Sequence, residues 1–111
     1  MESMNSRTLD IGVFRLQTGH NRLRKHLHNI GIEETDKCRF CDTCVEDGYH
    51  LLTDCGEILN TRLGREILDL RMESLILGRE EYHDWLFSNK EAVREQQGKF
   101  LKILQALDII L

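Results

Sequence analysis

Three cysteines and one histidine within eighteen residues constrain this chain more than anything else in it. The run is Cys38-Arg39-Phe40-Cys41, an eight-residue return, then His50, and five positions on Cys55, or C-x2-C-x8-H-x4-C. Zinc asks for four soft or borderline ligands at tetrahedral corners. A C-x2-C turn brings two thiolates onto one knuckle, and the H-x4-C pair supplies the other two ligands once the chain doubles back. Gly48 is read as giving that return its freedom to turn. An i, i+5 pair does not stack on one face of an ideal helix. His50 is therefore expected near the start of a helical turn and Cys55 at or past its end.

Three other readings of the cysteines compete with structural zinc. A disulfide pair belongs to secreted proteins, and Met1–Arg7 lacks the apolar core of a signal peptide, so the expectation is an intracellular chain, nuclear or cytoplasmic. Reduced cysteines acting as small hydrophobes would not cluster with a histidine. A catalytic zinc keeps one open position and three protein ligands, whereas four are available here. Cys44 is the loose end. It could replace Cys41 or His50 in a three-thiolate variant, or stay out of the cluster, and the more regular frame favours the latter. The middle of the chain has little apolar mass, so the metal is expected to hold residues 32–57 together, and its removal to unfold them.

Around this knuckle the pattern is helical. Leu9, Val13 and Leu16 follow the spacing of an amphipathic helix that should stop at Thr18-Gly19. Asn21 is read as the N-cap of a second helix, with Leu23, Leu27 and Ile30 on its inner face and Gly31 just past its end. Leu59, Leu63, Ile67 and Leu70 continue the period after the knuckle, with Gly64 inside it, and Gly78 closes that region. Tyr82, Trp85 and Leu86 mark a short helix. Ser88 to Glu91 reads as a capping box, followed by Val93, Gln97, Phe100, Leu104, Leu107 and Leu111 along one face. The expected fold is mainly α, a small helical domain built around a zinc knuckle, with little or no β beyond a short hairpin. Over 1–111 it forms one domain: a basic helical hairpin at 1–31, the knuckle at 32–57, and helices packing on it at 58–111. The apolar end Ile109-Ile110-Leu111 would need covering, which points to self-association or docking through the C-terminal helices. No apolar run approaches the roughly 20 residues that span a membrane.

The formal net charge of -4 conceals an asymmetry. Residues 1–30 carry +3, residues 31–70 carry -6 and residues 71–111 carry -1. The basic front also holds His20, His26 and His28. It is either a solvated helix face or a surface for phosphate. The footprint for RNA or DNA would be Arg15, His20, Arg22, Arg24, Lys25, Arg39 and Arg62. Phe40, inside the knuckle, would either stack on a base or pack against the next helix. Asp42, Glu46 and Asp47 would repel phosphate. No nucleophile motif, phosphate loop or paired carboxylates near a histidine is present. Glu80-Glu81 with His83 sits on what reads as a solvated helix face, so an enzyme is not expected.

The run Arg15-Leu16-Gln17-Thr18-Gly19-His20, followed by Leu23-Arg24, His26-Leu27 and Ile30-Gly31, resembles the segment after the ribonuclease H region of non-LTR (LINE-type) retrotransposon polyproteins. In that family an Arg-Leu-x-Thr-Gly-His motif precedes a Cys-Cys-His-Cys zinc motif, and an Arg-containing helix follows, which Arg62 to Leu70 looks like. The resemblance covers about residues 7–70 and more loosely the rest. It implies a non-catalytic C-terminal accessory module of a reverse transcriptase that helps hold element RNA or target DNA. The alternative is a protein-interaction module whose acidic middle and long C-terminal helix dock on a partner such as the rest of a polymerase or another copy. It also implies Cys38, Cys41, His50 and Cys55 as ligands of Zn2+. No polymerase, endonuclease or ribonuclease H residues are present to carry over, and Cys44 and the acidic loop depart from the pattern.

Overall fold

The computed structural model describes residues 6–74 and 79–109. Its helices are α1 (Ser6–Thr18), α2 (Arg24–Asn29), α3 (Gly64–Ser74), α4 (Arg79–Leu86) and α5 (Glu91–Ala106). A π-helical turn at His50–Asp54 and a 3-10 turn at Glu57–Asn60 lie between α2 and α3. Among the described residues there is no strand, only one antiparallel bridge, Lys37 to Val45, which closes the knuckle loop. The protein is mainly α, as its periodicity implied. No helix is long and apolar enough to cross a membrane among these residues.

The apolar stripe of α5 organises the packing. Phe100 and Leu104 are fully buried, and Trp85 of α4 meets the Phe100 ring edge-on at 6.1 Å. Ile67 and Leu70 of α3, Ile58, and Leu51 and Leu52 of the π-turn complete the same core. α1 leans on α5 and α4 through the stripe Leu9, Val13, Leu16. It ends where Gly19 takes φ +78, a conformation other residues adopt at a cost.

Several local expectations need correction. Asn21 is not the N-cap of α2. Its Oδ1 accepts from the Leu23 N–H at 3.0 Å and Leu23 occupies the cap position, so the side chain shapes the entering turn. α2 has only six residues, and Ile30 is 54% exposed because the chain turns off at Gly31 (φ +81) before a second turn of helix can face inward.

The period at Leu59 does not continue as one helix. α3 begins at Gly64, where a Cβ would collide with the Leu59 carbonyl, and Arg62 therefore lies in the turn before it. The capping box does not form. The N-cap of α5 is Lys90, which puts Glu91 at N1 rather than N3, and Ser88 Oγ accepts from the Lys90 N–H instead.

α5 stops at Ala106 rather than running to Leu111. Asp108 takes φ 65, and the N–H of Ile109 returns to Leu104 O at 2.8 Å, a Schellman ending. Ile109 is buried by that return. Residues 110 and 111, the rest of the expected apolar end, lie outside the described residues, as does the 75–78 segment with Gly78.

Candidate metal centre

The sulfur of Cys38 is approached by two N–H groups of its own knuckle, those of Phe40 (3.4 Å) and Cys41. The turn closes by Asp42 N–H donating to Cys38 O at 2.8 Å, with Asp42 in the left-handed region at φ 56. The return is held in register by Cys38 N–H on Cys44 O (2.7 Å) and Glu46 N–H on Asp36 O (2.8 Å). Asp47 then starts the next turn, its Oδ1 accepting from the His50 N–H at 2.8 Å.

The H-x4-C spacing finds its explanation in the turn that follows. Residues 50–54 adopt a π-turn, and Cys55 N–H bonds His50 O, five positions back, at 2.8 Å. An i to i+5 turn is wider than an α-turn, so it brings positions five apart to the same side. His50 opens the turn and Cys55 caps it, as expected.

The four side chains converge. One ligand atom from each of Cys38, Cys41, His50 and Cys55 lies within 4.8 Å of all the others. Cys38 Sγ and Cys55 Sγ are 3.8 Å apart, and Cys41 Sγ is 3.3 Å from His50 Nε2. In a tetrahedral site with metal–sulfur bonds near 2.3 Å, neighbouring sulfurs stand roughly 3.8 Å apart. The residues therefore fit a tetrahedral ion. All four cysteines are free thiols, and Cys44 points out to solvent beside His50 and Asp54, outside the tetrad.

The electrostatics carry the same message. Burial pushes the Cys38 thiol up to about 12 and also raises Cys55. The Thr43 hydroxyl, 3.4 Å from Cys41 Sγ, leads the causes that lower Cys41 to about 6. Two buried sulfurs thus need a cation at hand before they ionise, while each already has amide donors aimed at it. His50 Nδ1 is buried with no hydrogen bond, and the Asp54 carboxylate stands 3.6 Å away. That is the side from which carboxylates orient metal-bound imidazoles.

Two supporting residues escaped the sequence reading. Arg71 of α3 donates to the carbonyls of Leu52 (2.6 Å), Cys55 (2.7 Å) and Leu51 (3.2 Å), closing the C-terminal end of the π-turn. The available signal was a charge four positions after buried Ile67, on the apolar side of α3. Glu46 is fully buried. Its carboxylate accepts from the Arg39 guanidinium (2.7 Å at Nη2), the Arg39 N–H (2.8 Å) and the Arg24 N–H (2.9 Å). It joins the knuckle to the start of α2, and no local pattern announces this. Gly48 also differs from expectation. Its φ is ordinary, and it is glycine because the Tyr82 hydroxyl approaches where a Cβ would be.

The basic candidates divide into two sets. Arg39 is bound to Glu46, Arg62 donates to the Ala106 carbonyl at the end of α5, and Arg24 Nη1 donates to Lys37 O at 3.2 Å. Phe40 is half-buried and packs on the core. Arg15, His20, Arg22 and Lys25 are exposed around the corner between α1 and α2. Fold and site together define a small helical domain whose Cys3His group could hold a metal ion. No family model, curated protein or solved structure matches the chain.

Proposed function

We propose that the chain is a zinc-stabilised nucleic-acid-binding module, non-catalytic by itself, of the kind that accompanies LINE-type reverse transcriptases. Zinc is the ion that a Cys3His set with closed tetrahedral spacing favours. Four protein ligands leave no open position, so its role is structural.

The observation that carries the nucleic-acid reading is a charge separation. From Ile11 to Ile32 the sequence contains no Asp or Glu, and this stretch forms the α1–α2 corner. Glu46, the acid bonded to the start of α2, is buried on Arg39 and cannot face phosphate from there. Arg15, Arg22 and Lys25 are exposed on this stretch, with Glu33 and Asp108 sharing a hollow with Arg22 and Asp47 lining the cleft beside Lys25, and phosphate neutralisation by such cations releases counterions. The resemblance of the Arg15–His20 run to the LINE-type motif supports the same assignment.

The test pairs metal content with binding. Mass spectrometry of the native protein should find one zinc, lost in Cys55→Ser. Fluorescence anisotropy of the zinc-loaded protein with labelled RNA and DNA should give affinities that fall as salt rises. The reading fails if neither polymer binds at low salt.

A second reading rests on α3. A groove of about 460 Å³ between α3 and α5 is floored by Leu63, Leu70 and Ile103. Docking on a polymerase domain or a second copy would use this face, and light scattering that finds a strict monomer counts against self-association.

A further inference from the structure

A cleft of about 380 Å³ opens beside the basic corner. One wall is the Thr18-Gly19-His20 turn with the first residues of α2. The second is the start of the metal-binding turn at Asp47–Tyr49, and the third is α4 at Tyr82, His83 and Leu86.

The walls are fixed by packing. Gln17 Nε2 donates to Leu86 O at 3.0 Å, pinning α1 to α4. The Tyr49 and Tyr82 rings meet edge-on at 5.6 Å, pinning the metal turn to α4. Pre-formed concavities of this size are where small ligands or single residues of a polymer bind.

The lining is apolar below and polar above. Leu16, Leu23, Leu86 and the Tyr82 ring form the floor. At the rim stand Lys25 and two imidazoles, His20 and His26, whose ring centroids are 5.1 Å apart. The one carboxylate in the lining, Asp47, has an oxygen committed to the His50 N–H.

An apolar floor suits a flat base, imidazole faces suit stacking, and Lys25 suits a phosphate. Duplex bases are turned inward and cannot enter, whereas the unstacked bases of single strands can be splayed into such a site. We infer that this cleft seats one unpaired nucleotide of a single-stranded nucleic acid, its base between the floor and the His20–His26 pair and its phosphate on Lys25. The inference rests on the nucleic-acid reading above and adds to it a preference for unpaired bases.

The test uses the zinc-loaded full chain, a short single strand, and a blunt duplex with the same number of phosphates. The single strand should bind about tenfold more tightly, the scale of one base–aromatic stack. His26→Ala keeps every Arg and Lys, and should bring the strand down to the duplex affinity while leaving the duplex unchanged. Because His26 is half-buried, titration of the unaltered protein with 5′-AMP, followed by amide NMR, supplies a second arm. Shifts should converge on residues 18–25, Tyr49 and His83.

Equal affinity for strand and duplex, or 5′-AMP shifts scattered over the basic surface, would overturn the cleft and leave the basic corner standing. No binding of either polymer would overturn both.

Discussion

The guanidinium of Arg71 donates to the carbonyl oxygen of Cys55 at 2.7 Å, joining the last turn of α3 to the last residue of the Cys3His group. Two further carbonyls, of Leu51 and Leu52, share the same fork. With a divalent ion held by three thiolates and one imidazole, the group would carry a single negative charge, and Arg71 is a cation bonded to this turn. It satisfies the acceptors left at the end of a helical turn and offsets the residual charge of the site.

Replacing Arg71 by Met should therefore cost about 2–4 kcal/mol, since charged hydrogen bonds are lost and buried carbonyls are left without donors. Arg71→Lys keeps the charge without the planar fork and should recover less than half of the loss. Thermal unfolding of the metal-loaded proteins measures this. A chromophoric chelator should also extract metal faster from Arg71→Met. An unchanged melting temperature for that variant would remove Arg71 from the account.

Glu46 gives a pH-dependent prediction. Burial alone would raise its pKa, but the hydrogen bonds from Arg39 and from the Arg24 N–H outweigh burial and hold it below its usual 4.5. The folded value is depressed, so the stabilisation is complete above about 4.5 and is lost as pH falls further. Metal ligands also protonate in acid, so the comparison must be between proteins. Wild type should lose stability more steeply below pH 4.5 than Glu46→Gln does. Near neutrality Glu46→Gln should cost about 2 kcal/mol. That is less than for a wholly buried pair, because the Arg39 side chain is 28% exposed and partly screened. Parallel pH profiles for the two proteins would contradict this role.

These two residues also show where sequence reading reaches its limit. The Cys38, Cys41, His50, Cys55 tetrad was legible because a group that could hold a metal ion leaves a spacing on the chain itself. The stripes of α1 and α5 were legible because burial repeats with the helical period. The end of α5 was not, because a left-handed Asp108 carries no strong signal where a glycine would have. Arg39 and Arg62 read as phosphate ligands because charge is visible in sequence and its partner is not. Their partners, Glu46 and the Ala106 carbonyl, lie 7 and 44 positions away and are set by the tertiary fold. Ile30 falls on the inner face only if the helical period continues beyond Asn29, where α2 ends.

The knuckle contains a second non-glycine residue in left-handed backbone, Asp42 at φ 56. Its N–H closes the turn on Cys38 O, and the side chain is exposed. Aspartate tolerates this region better than most residues, but glycine enters it without steric cost. Asp42→Gly should leave metal binding intact and stabilise the loaded protein by up to about 1 kcal/mol, whereas Asp42→Val should destabilise it by about 1–2 kcal/mol. Denaturant midpoints of the three proteins provide the check. A loss of stability in Asp42→Gly would mean that the Asp42 side chain, not its backbone, serves the turn.

Gly48 couples the metal turn to α4, and a double-mutant cycle can expose that coupling. A Cβ at position 48 would meet the Tyr82 hydroxyl first and Leu16 Cδ2, at 3.3 Å, second. The hydroxyl is the end of a rigid, buried ring that also packs edge-on against Tyr49 and stacks on Trp85, so it cannot swing aside. Gly48→Ala should therefore destabilise by about 1–3 kcal/mol, the usual cost of overpacking. Tyr82→Phe removes the oxygen and should cost about 1 kcal/mol by itself. In the double variant the methyl group occupies the space the oxygen vacated, so the two losses should not add. A coupling of about 1 kcal/mol or more in favour of the pair is expected. Additive losses would mean that position 48 is glycine for a reason other than the approach of Tyr82, and that the wall joining the metal turn to α4 is looser than this contact implies.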